Sequence, residues 1–391
     1  MLQVNTGLDR LAAEGFARLQ GRRVGLLVHP ASVDQRLRHA LMLMQEAGPV
    51  DLKTLFGPQH GILGQTQDNM IEWEGYTDPG SGLTVHSLYG EHRKPTAAML
   101  DAIDVLVIDL QDVGARYYTF IWTMLLCMEA CADKGIQVMI LDRPNPLDGV
   151  HTEGTVLDPE YRSFVGLAPI PMRHGMTAGE LAGFFARWMG LDLDLEVIWM
   201  EGWTRDMDFA ATGLPWVLPS PNMPTLETAR VYPGGCLLEG TTVSEGRGTT
   251  RPFEIFGAPY VEPDTLAGIL TAWNLPGCRI RPLHFEPTFH KFSGEVCGGV
   301  QVHVTDPEIF EAVSTYTAAI AAIRKLWPEN FGWKQPPYEY ETEKLPIDIL
   351  AGGEAWRTQV EAGLSPWLMK ADWMEQLKAF HELTVEFRHY E

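Results

Sequence analysis

Positive charge is scarce in this 391-residue chain: 30 lysines and arginines stand against 51 aspartates and glutamates, a formal net charge of -21. A phosphate-backbone partner requires a basic footprint, so nucleic-acid binding is excluded on charge. The acidic residues are scattered, not gathered into a tail, and their plain consequence is solubility. Long apolar runs are missing as well. No window reaches the ~18 uninterrupted apolar residues of a membrane span, so no membrane partner is expected. The opening residues, MLQVNTGLDRLAAEGFARLQGRR, lack a basic start followed by an apolar core. No secretory signal is therefore read there, and a reducing cytoplasm is the expected compartment. The five cysteines show no paired spacing; Cys127 and Cys131 sit four apart in a helical pattern, as buried small hydrophobes do. Zinc would need ligand pairs that the sequence does not contain. His29, His60, His86 and His92 lie near one another in the order of elements and keep a metal-dependent hydrolase open, but no pair has helical ligand spacing. Neither a metal nor a cofactor is expected. GILG is too short for a dinucleotide turn and nothing matches a P-loop, so the chain is not expected to hold a nucleotide. The absence of a G-x-S-x-G elbow counts against an α/β-hydrolase.

What the chain does have is a regular alternation. Apolar runs at Arg23 to Pro30, Asp51 to Gly57, Leu83 to Gly90, Asp104 to Gln111 and Ile136 to Pro144 read as buried strands. Helical patterns at Gln35 to Glu46, Thr96 to Ala102 and Thr119 to Lys134 separate them. Strands alternating with helices imply a doubly wound, Rossmann-like parallel sheet covered on both faces. Thr177 to Met189 reads as a further helix, with Thr177 and Glu180 forming a capping box. The proline-rich stretch from Gly213 to Pro233 cannot be a central strand and reads as an ordered crossing segment. Beyond Glu254, strand-like RIRPLHFEP and GGVQVHVTD flank helices at Pro263 to Trp273 and Pro307 to Leu326, giving a smaller α+β unit. The tail from Gly353 to Tyr390 reads as mostly helical. The expected organisation is an α/β domain over residues 1–240 and a smaller α+β domain over 241–391, with an active-site cleft between them.

In open parallel sheets, ligands bind beyond the carboxyl ends of the strands. Four polar segments occupy that rim: HPAS after the first strand, GPQHG after the second, QDVGARYYT after the strand ending at Leu110, and DRPNP after the strand ending at Leu141. The second opens a loop, LFGPQHGILGQTQDNM, that gathers Gln59, His60, Gln65, Gln67, Asp68 and Asn69 among three glycines. Asp112 suits either a ligand or a helix cap, and Asp142 either a ligand or an Asx turn. Asn145, held between two prolines, is read as facing a ligand. Tyr117 and Tyr118 are expected to divide, one into the core and one toward the rim. A second dense stretch, CLLEGTTVSEGRGTTRPFEIFGAP, alternates Glu239, Glu245, Arg247, Arg251 and Glu254 with glycine and threonine. It is either a solvated charged loop or a set of carboxylates beside backbone able to approach a ligand closely. Carboxylates among hydroxyls and amides suit a polyhydroxylated substrate. Sugar hydrolysis needs two carboxyls, or one carboxyl and a substrate N-acetyl group.

The motifs FGPQHG, DLQDVGARYYTFIW, LDRPNPLDG, RHGMTAGELA, PSPNMPTLETARVYPGGCLLEGTTVSEGRGTTRPFEIFGAP and CGGVQVHVTD stand in the order seen in the DUF1343 family, which the chain resembles from about Gly7 to its end. That family includes exo-β-N-acetylmuramidases, so the resemblance implies a glycosidase of cell-wall turnover that removes terminal N-acetylmuramic acid, or a close amino sugar, from peptidoglycan fragments. It implies no oligomeric state. In the muramidases the tetrapeptide after the second strand is usually Pro-Glu-His-Gly, with the glutamate as the proposed catalytic residue; here it is Pro58-Gln59-His60-Gly61. A glutamine amide neither donates nor accepts a proton in acid–base catalysis. With that assignment not carried over, Glu245 is expected to act as the acid or base, its pKa raised by partial burial if it is the donor, with Glu239 and Asp112 next in line. His60, Asp112 and Gln59 would orient the substrate; Tyr117, Asn145, His174 and Asn222 would contact it. Arg143, Arg247 or Arg251 would fork onto the lactyl carboxylate of muramic acid. The alternative is a non-hydrolytic amino-sugar or muropeptide binding protein.

Overall fold

The computed structural model describes residues 3–48, 50–68 and 70–391. Asn69 of the polar loop lies outside the described residues. Strands β1 (Arg23–Val28), β2 (Asp51–Gly57), β3 (Tyr76–Thr77), β4 (Thr84–Ser87), β5 (Val105–Asp109) and β6 (Gln137–Leu141) come first. A small antiparallel pair, β7 (Glu153–Val156) and β8 (Pro171–Arg173), precedes β9 (Leu195–Ile198). The main sheet has the order β3-β4-β2-β1-β5-β6-β9. Its pairings are parallel except at the edge, where β3 runs antiparallel to β4. The chain thus builds outward through β2 and β4, then returns to place β5 on the other side of β1. That reversal is the topological switch point where a doubly wound sheet offers a crevice.

Successive residues of the central strands point to opposite faces, and both faces are covered. Leu27, Leu106, Ile108, Val138 and Ile140 join the core beneath helices Phe120–Ala132 and Ala178–Met189. Leu26, Val105, Val107, Met139 and Leu141 join the opposite core with Leu8, Leu11, Leu43 and Met44 of helices Gly7–Ala13 and Ala40–Glu46. This two-sided burial is why the strands read as continuous apolar runs. Helix Ala178–Met189 begins with the expected capping box of Thr177 and Glu180. The second unit is an antiparallel sheet in the order β10-β12-β11, from β10 (Ile255–Ala258), β11 (Cys278–Phe285) and β12 (Cys297–Val304). Helices Pro263–Ala272 and Ala312–Leu326 accompany it.

Three segments differ from their sequence reading. The helix expected from Gln35 starts at Ala40, because Asp34 accepts from the amides of Arg36 and Arg38 and closes a turn with Leu37 at φ 62°. The helix expected from Pro307 starts at Ala312. The proline-rich stretch ends in a helix, Leu226–Gly235, which carries Pro233 close to its end. β3, β7, β8, β9 and β10 were too short or too polar to register as strands. Among the described residues, no helix is long and apolar enough to cross a membrane.

The end of the chain returns to the large sheet. His389 stacks on Trp199 with ring centroids 4.0 Å apart, and the Tyr390 hydroxyl donates to Asp142 Oδ2 at 2.5 Å while accepting from the Met200 amide at 2.8 Å. Asp142 also accepts from Thr177 Oγ1 and the Gly179 amide, and burial pushes its carboxyl up to about 7. Tyr390→Phe strips one donor from this buried carboxyl and one acceptor from a backbone amide. It should lower stability by about 1–3 kcal/mol, read as a shift of the urea midpoint at constant slope; an unmoved midpoint would count against the latch.

Candidate active site

β2 ends at Gly57, and the chain turns sharply through Pro58-Gln59-His60-Gly61, with His60 at φ 69° and Gly61 at φ 76°. Trp73 Nε1 donates to the Pro58 carbonyl at 3.1 Å and holds the turn against the returning loop. Gln59 is buried between two elements. Its Oε1 accepts from Thr119 Oγ1 at 2.7 Å, at the start of helix Phe120–Ala132, and its Nε2 points to Glu339 Oε1 at 3.4 Å. One side chain from the β2 rim therefore touches the β5 rim and a segment 280 residues further along.

Around it closes a cavity of about 40 Å³. Gln59, His60 and Thr119 form the sheet side, and Tyr117, Tyr118 and Tyr232 present ring surface. Ser220 and Asn222 come from the proline-rich crossing segment; Glu239, Arg247, Tyr338 and Glu339 come from beyond it. Asn222 also ties down the polar loop, its Nδ2 donating to the Gln67 carbonyl at 2.5 Å.

The charges in this cavity are arranged unequally. Glu239 accepts from Arg247 Nη2 on one oxygen and from the Tyr338 hydroxyl on the other, both at 2.7 Å. Glu339 faces neutral donors, the Tyr89 hydroxyl at 2.9 Å and the Gln59 amide. Burial, partly countered by the Tyr89 hydrogen bond, pushes the Glu339 carboxyl up to about 7. Burial likewise depresses His60 to about 4, so its imidazole is neutral. Its Nδ1 lies 2.8 Å from the Thr66 carbonyl and must carry the hydrogen there, which leaves Nε2 as an acceptor.

Of the residues singled out in the sequence, the fold brings Gln59, His60, Tyr117, Asn222, Glu239 and Arg247 together. Tyr117 and Tyr118 do not divide between core and rim: both are buried, and the Tyr117 hydroxyl is taken by the Pro233 carbonyl. Asp112 and His174 pair with each other at 3.1 Å, and Asp112 also closes a turn on the Gly114 amide. Asn145 is likewise held by backbone, donating to Met176 and accepting from Leu147, and it does not line this cavity. Arg143 forks onto buried Asp109 at 2.5 and 2.8 Å, leaving it unable to reach a substrate carboxylate. Arg251 is half exposed beside Glu254 and outside the cavity. His29 spans β1 and the crossing segment, accepting from the Gln111 amide and meeting the Pro219 carbonyl. Among the described residues, no group of three His, Cys, Asp or Glu side chains is placed to hold a metal.

Glu245 is the main correction. It is fully buried, yet its carboxyl is not raised. Burial alone would push it up, but Lys291 at 2.9 Å, His290 at 3.0 Å and the Arg247 guanidinium outweigh that and hold it well below the usual carboxylate range. Lys291 also donates to the carbonyls of Leu238 and Val243, so the pair staples the EGTTVSEGRG loop from below. Such a carboxylate holds no proton to donate. Glu339 and Tyr338 escaped the sequence reading altogether. Their signal was YEYE directly after Pro336-Pro337, a polar–aromatic segment outside any regular pattern, like the DRPNP stretch that did attract notice. Glu245→Gln removes the charge facing half-buried Lys291 and should cost about 1.5–3 kcal/mol of stability. A urea titration showing wild-type stability would return Glu245 to the list of free carboxylates.

Two family models cover nearly the whole chain: exo-beta-N-acetylmuramidase NamZ, N-terminal, over residues 24–227, and exo-beta-N-acetylmuramidase NamZ, C-terminal, over 230–390. The peptidoglycan beta-N-acetylmuramidase NamZ of Bacillus subtilis (strain 168) is 47% identical over 363 residues, 93% of this chain and 86% of that protein. Two crystal structures of DUF1343 family proteins from Bacteroides fragilis superpose on the fold. One has TM-score 0.89 at 34% identity, covering 100% of both chains. The other has TM-score 0.76 at 28% identity, covering 100% of this chain and 99% of its own.

Proposed function

The chain belongs to the exo-β-N-acetylmuramidase NamZ family of glycosidases, and from that premise we propose that its polar cavity is the site at which terminal N-acetylmuramic acid is released from peptidoglycan fragments. The observation that carries this reading is the convergence of two carboxyls, one guanidinium and two side-chain amides at the switch point of a parallel sheet. Hydrolysis of a glycosidic bond needs carboxyl groups on either side of the anomeric carbon, or one carboxyl and the substrate's own acetamide. The glutamine at position 59 leaves the site with carboxyls of its own, because Glu239 and Glu339 flank it.

The remaining residues suit the recognition of a muramic acid. Of the three arginines considered, Arg247 alone lines the cavity, where it offers positive charge toward the lactyl carboxylate while its Nη2 stays on Glu239. Neutral His60 offers an acceptor for a substrate N–H or O–H. Gln59 and Asn222 offer amides for hydroxyls and the acetamide, and the tyrosine rings offer apolar faces to the pyranose. A cytoplasmic place in cell-wall turnover is supported by five thiols that all remain free.

Pure protein incubated with a 4-nitrophenyl β-N-acetylmuramide should release nitrophenol and free N-acetylmuramic acid. It should leave a polymeric glycan uncut except at its terminal sugar. Folded protein that binds muramic acid without any turnover would refute the hydrolase reading.

A further inference from the structure

A hydrolase of this kind needs one carboxyl that carries a proton to the leaving oxygen, and the correction at Glu245 leaves that position open. The geometry points to Glu339 as the proton donor of the cavity. This assignment rests on the hydrolase reading above and names the group that performs its acid step.

Three independent features carry it. The first is partnership. Glu239, the other carboxyl of the cavity, is already paired with the Arg247 guanidinium. Glu339 meets only neutral donors, Tyr89 and Gln59, and none of the described residues forms an ion pair with it. The other charged or titratable groups around the cavity are Glu239, Arg247, neutral His60, Tyr117, Tyr118 and Tyr232, with Tyr338 and Tyr340 on its own segment. A carboxyl buried against neutral groups and opposite a second carboxyl keeps its proton near neutrality, in keeping with a value of about 7.

The second feature is backbone strain. Tyr338 and Glu341 exchange two hydrogen bonds of 2.9 Å and close a two-residue turn on Glu339 and Tyr340, whose φ angles are 44° and 70°. Turns with both central residues in the left-handed region strongly favour Asn-Gly. Glutamate and tyrosine there cost stability, and such strain gathers where side chains must be aimed. The turn sends the two side chains to different tasks. Tyr340 lies under the Arg93 guanidinium, 3.8 Å from its ring centroid, and beside Tyr89 and Phe164. Glu339 points into the cavity.

The third feature is the contact with Gln59. The amide nitrogen turned toward Glu339 Oε1 fixes which carboxyl oxygen faces the β2 rim, while Thr119 fixes the amide. Gln59 is thus a positioning residue for Glu339.

The step balances without any further reagent. The Glu339 O–H proton passes to the glycosidic oxygen as the C1–O bond breaks, and its electron pair leaves with the departing sugar as a neutral alcohol. The oxygen of the hydrolytic water ends on C1, the proton it sheds passes to solvent, and solvent returns one to the carboxylate.

Glu339→Gln keeps size and hydrogen-bonding reach. On a muramic-acid-terminated disaccharide it should lower kcat by about 10²-fold or more, with calorimetric binding of N-acetylmuramic acid retained. On a dinitrophenyl muramide, whose leaving group needs no proton, most of the loss should disappear. Wild-type kcat on the disaccharide should fall as pH rises through about 7, because the donor loses its proton there, and that limb should be absent with the activated substrate. The wild-type comparison stands even if the variant does not fold. Equal losses on both substrates, no loss on either, or a wild-type profile that does not depend on the leaving group would each overturn Glu339 as donor. Wild-type protein inert toward both substrates would instead overturn the hydrolase reading itself.

Discussion

One buried cation, the guanidinium of Arg247, organises the whole site. A charge that cannot reach water must be met by opposite charge and hydrogen bonds. Arg247 has Glu239 at 2.7 Å on one side and Glu245 at 3.5 Å on the other, with the Phe253 ring 5.1 Å away. It sits between Gly246 and Gly248, both at positive φ; a Cβ on the first would lie 2.2 Å from the Ile255 carbonyl, and on the second 2.6 Å from that of Phe289. Only glycine lets the backbone come this close and turn this way. The Gly-Arg-Gly spelling is therefore a requirement of sinking the arginine. Glu245 then carries negative charge that Lys291 and His290 balance, and a chain of alternating charges runs from the smaller unit to the cavity wall.

That chain explains why the two carboxyls of the cavity differ. Glu239 arrives already matched to a cation, so its negative charge is part of the scaffold. Glu339 approaches from the other side on a strained turn and finds hydroxyl and amide donors. Two identical groups in one small space thus meet different environments, and burial among neutral donors favours the protonated form of Glu339. The net charge of -21 has no part in this. What matters is a single guanidinium with nowhere else to go.

The sheet was legible because burial on both faces writes itself as uninterrupted apolar runs, and the rim was legible because polar loops follow those runs in register. Gln59, His60 and Tyr117 were found by that logic, Asn222 by the family resemblance, and Glu239 and Arg247 by the density of charge among glycines. Burial of charge was not legible. Glu245 and Glu239 are two glutamates in one loop, six positions apart, and nothing local says that Lys291 meets one of them and Tyr338 the other. Arg143 and Asn145 follow a strand as ligand-facing residues do, yet Asp109 and nearby backbone absorb them. Asp109 and Met176 lie on other segments, so the satisfaction of these side chains is in large part a property of the assembled rim. Glu339 lay hidden for a related reason: its partner Gln59 is far away in sequence, and its positive φ is carried by residues that do not usually signal a turn.

The small size of the cavity adds a constraint of its own. Pockets for small ligands commonly run to about 300–1,000 Å³, whereas this one encloses about 40 Å³, room for water and not for a pyranose. The sheet rim and helix Phe120–Ala132 are packed into the core, and two segments cover them: the loop after β2, held by Trp73 on Pro58 and by Gln67 against Asn222, and the strained turn, held by its own pair of hydrogen bonds and by Tyr340 under Arg93. Both covers meet at the Gln59–Glu339 contact, which at 3.4 Å is the longest and weakest of the hydrogen bonds fixing either side chain. That contact therefore adds least to the fixing of the two side chains, and the Thr119 and Tyr89 hydrogen bonds hold them more firmly.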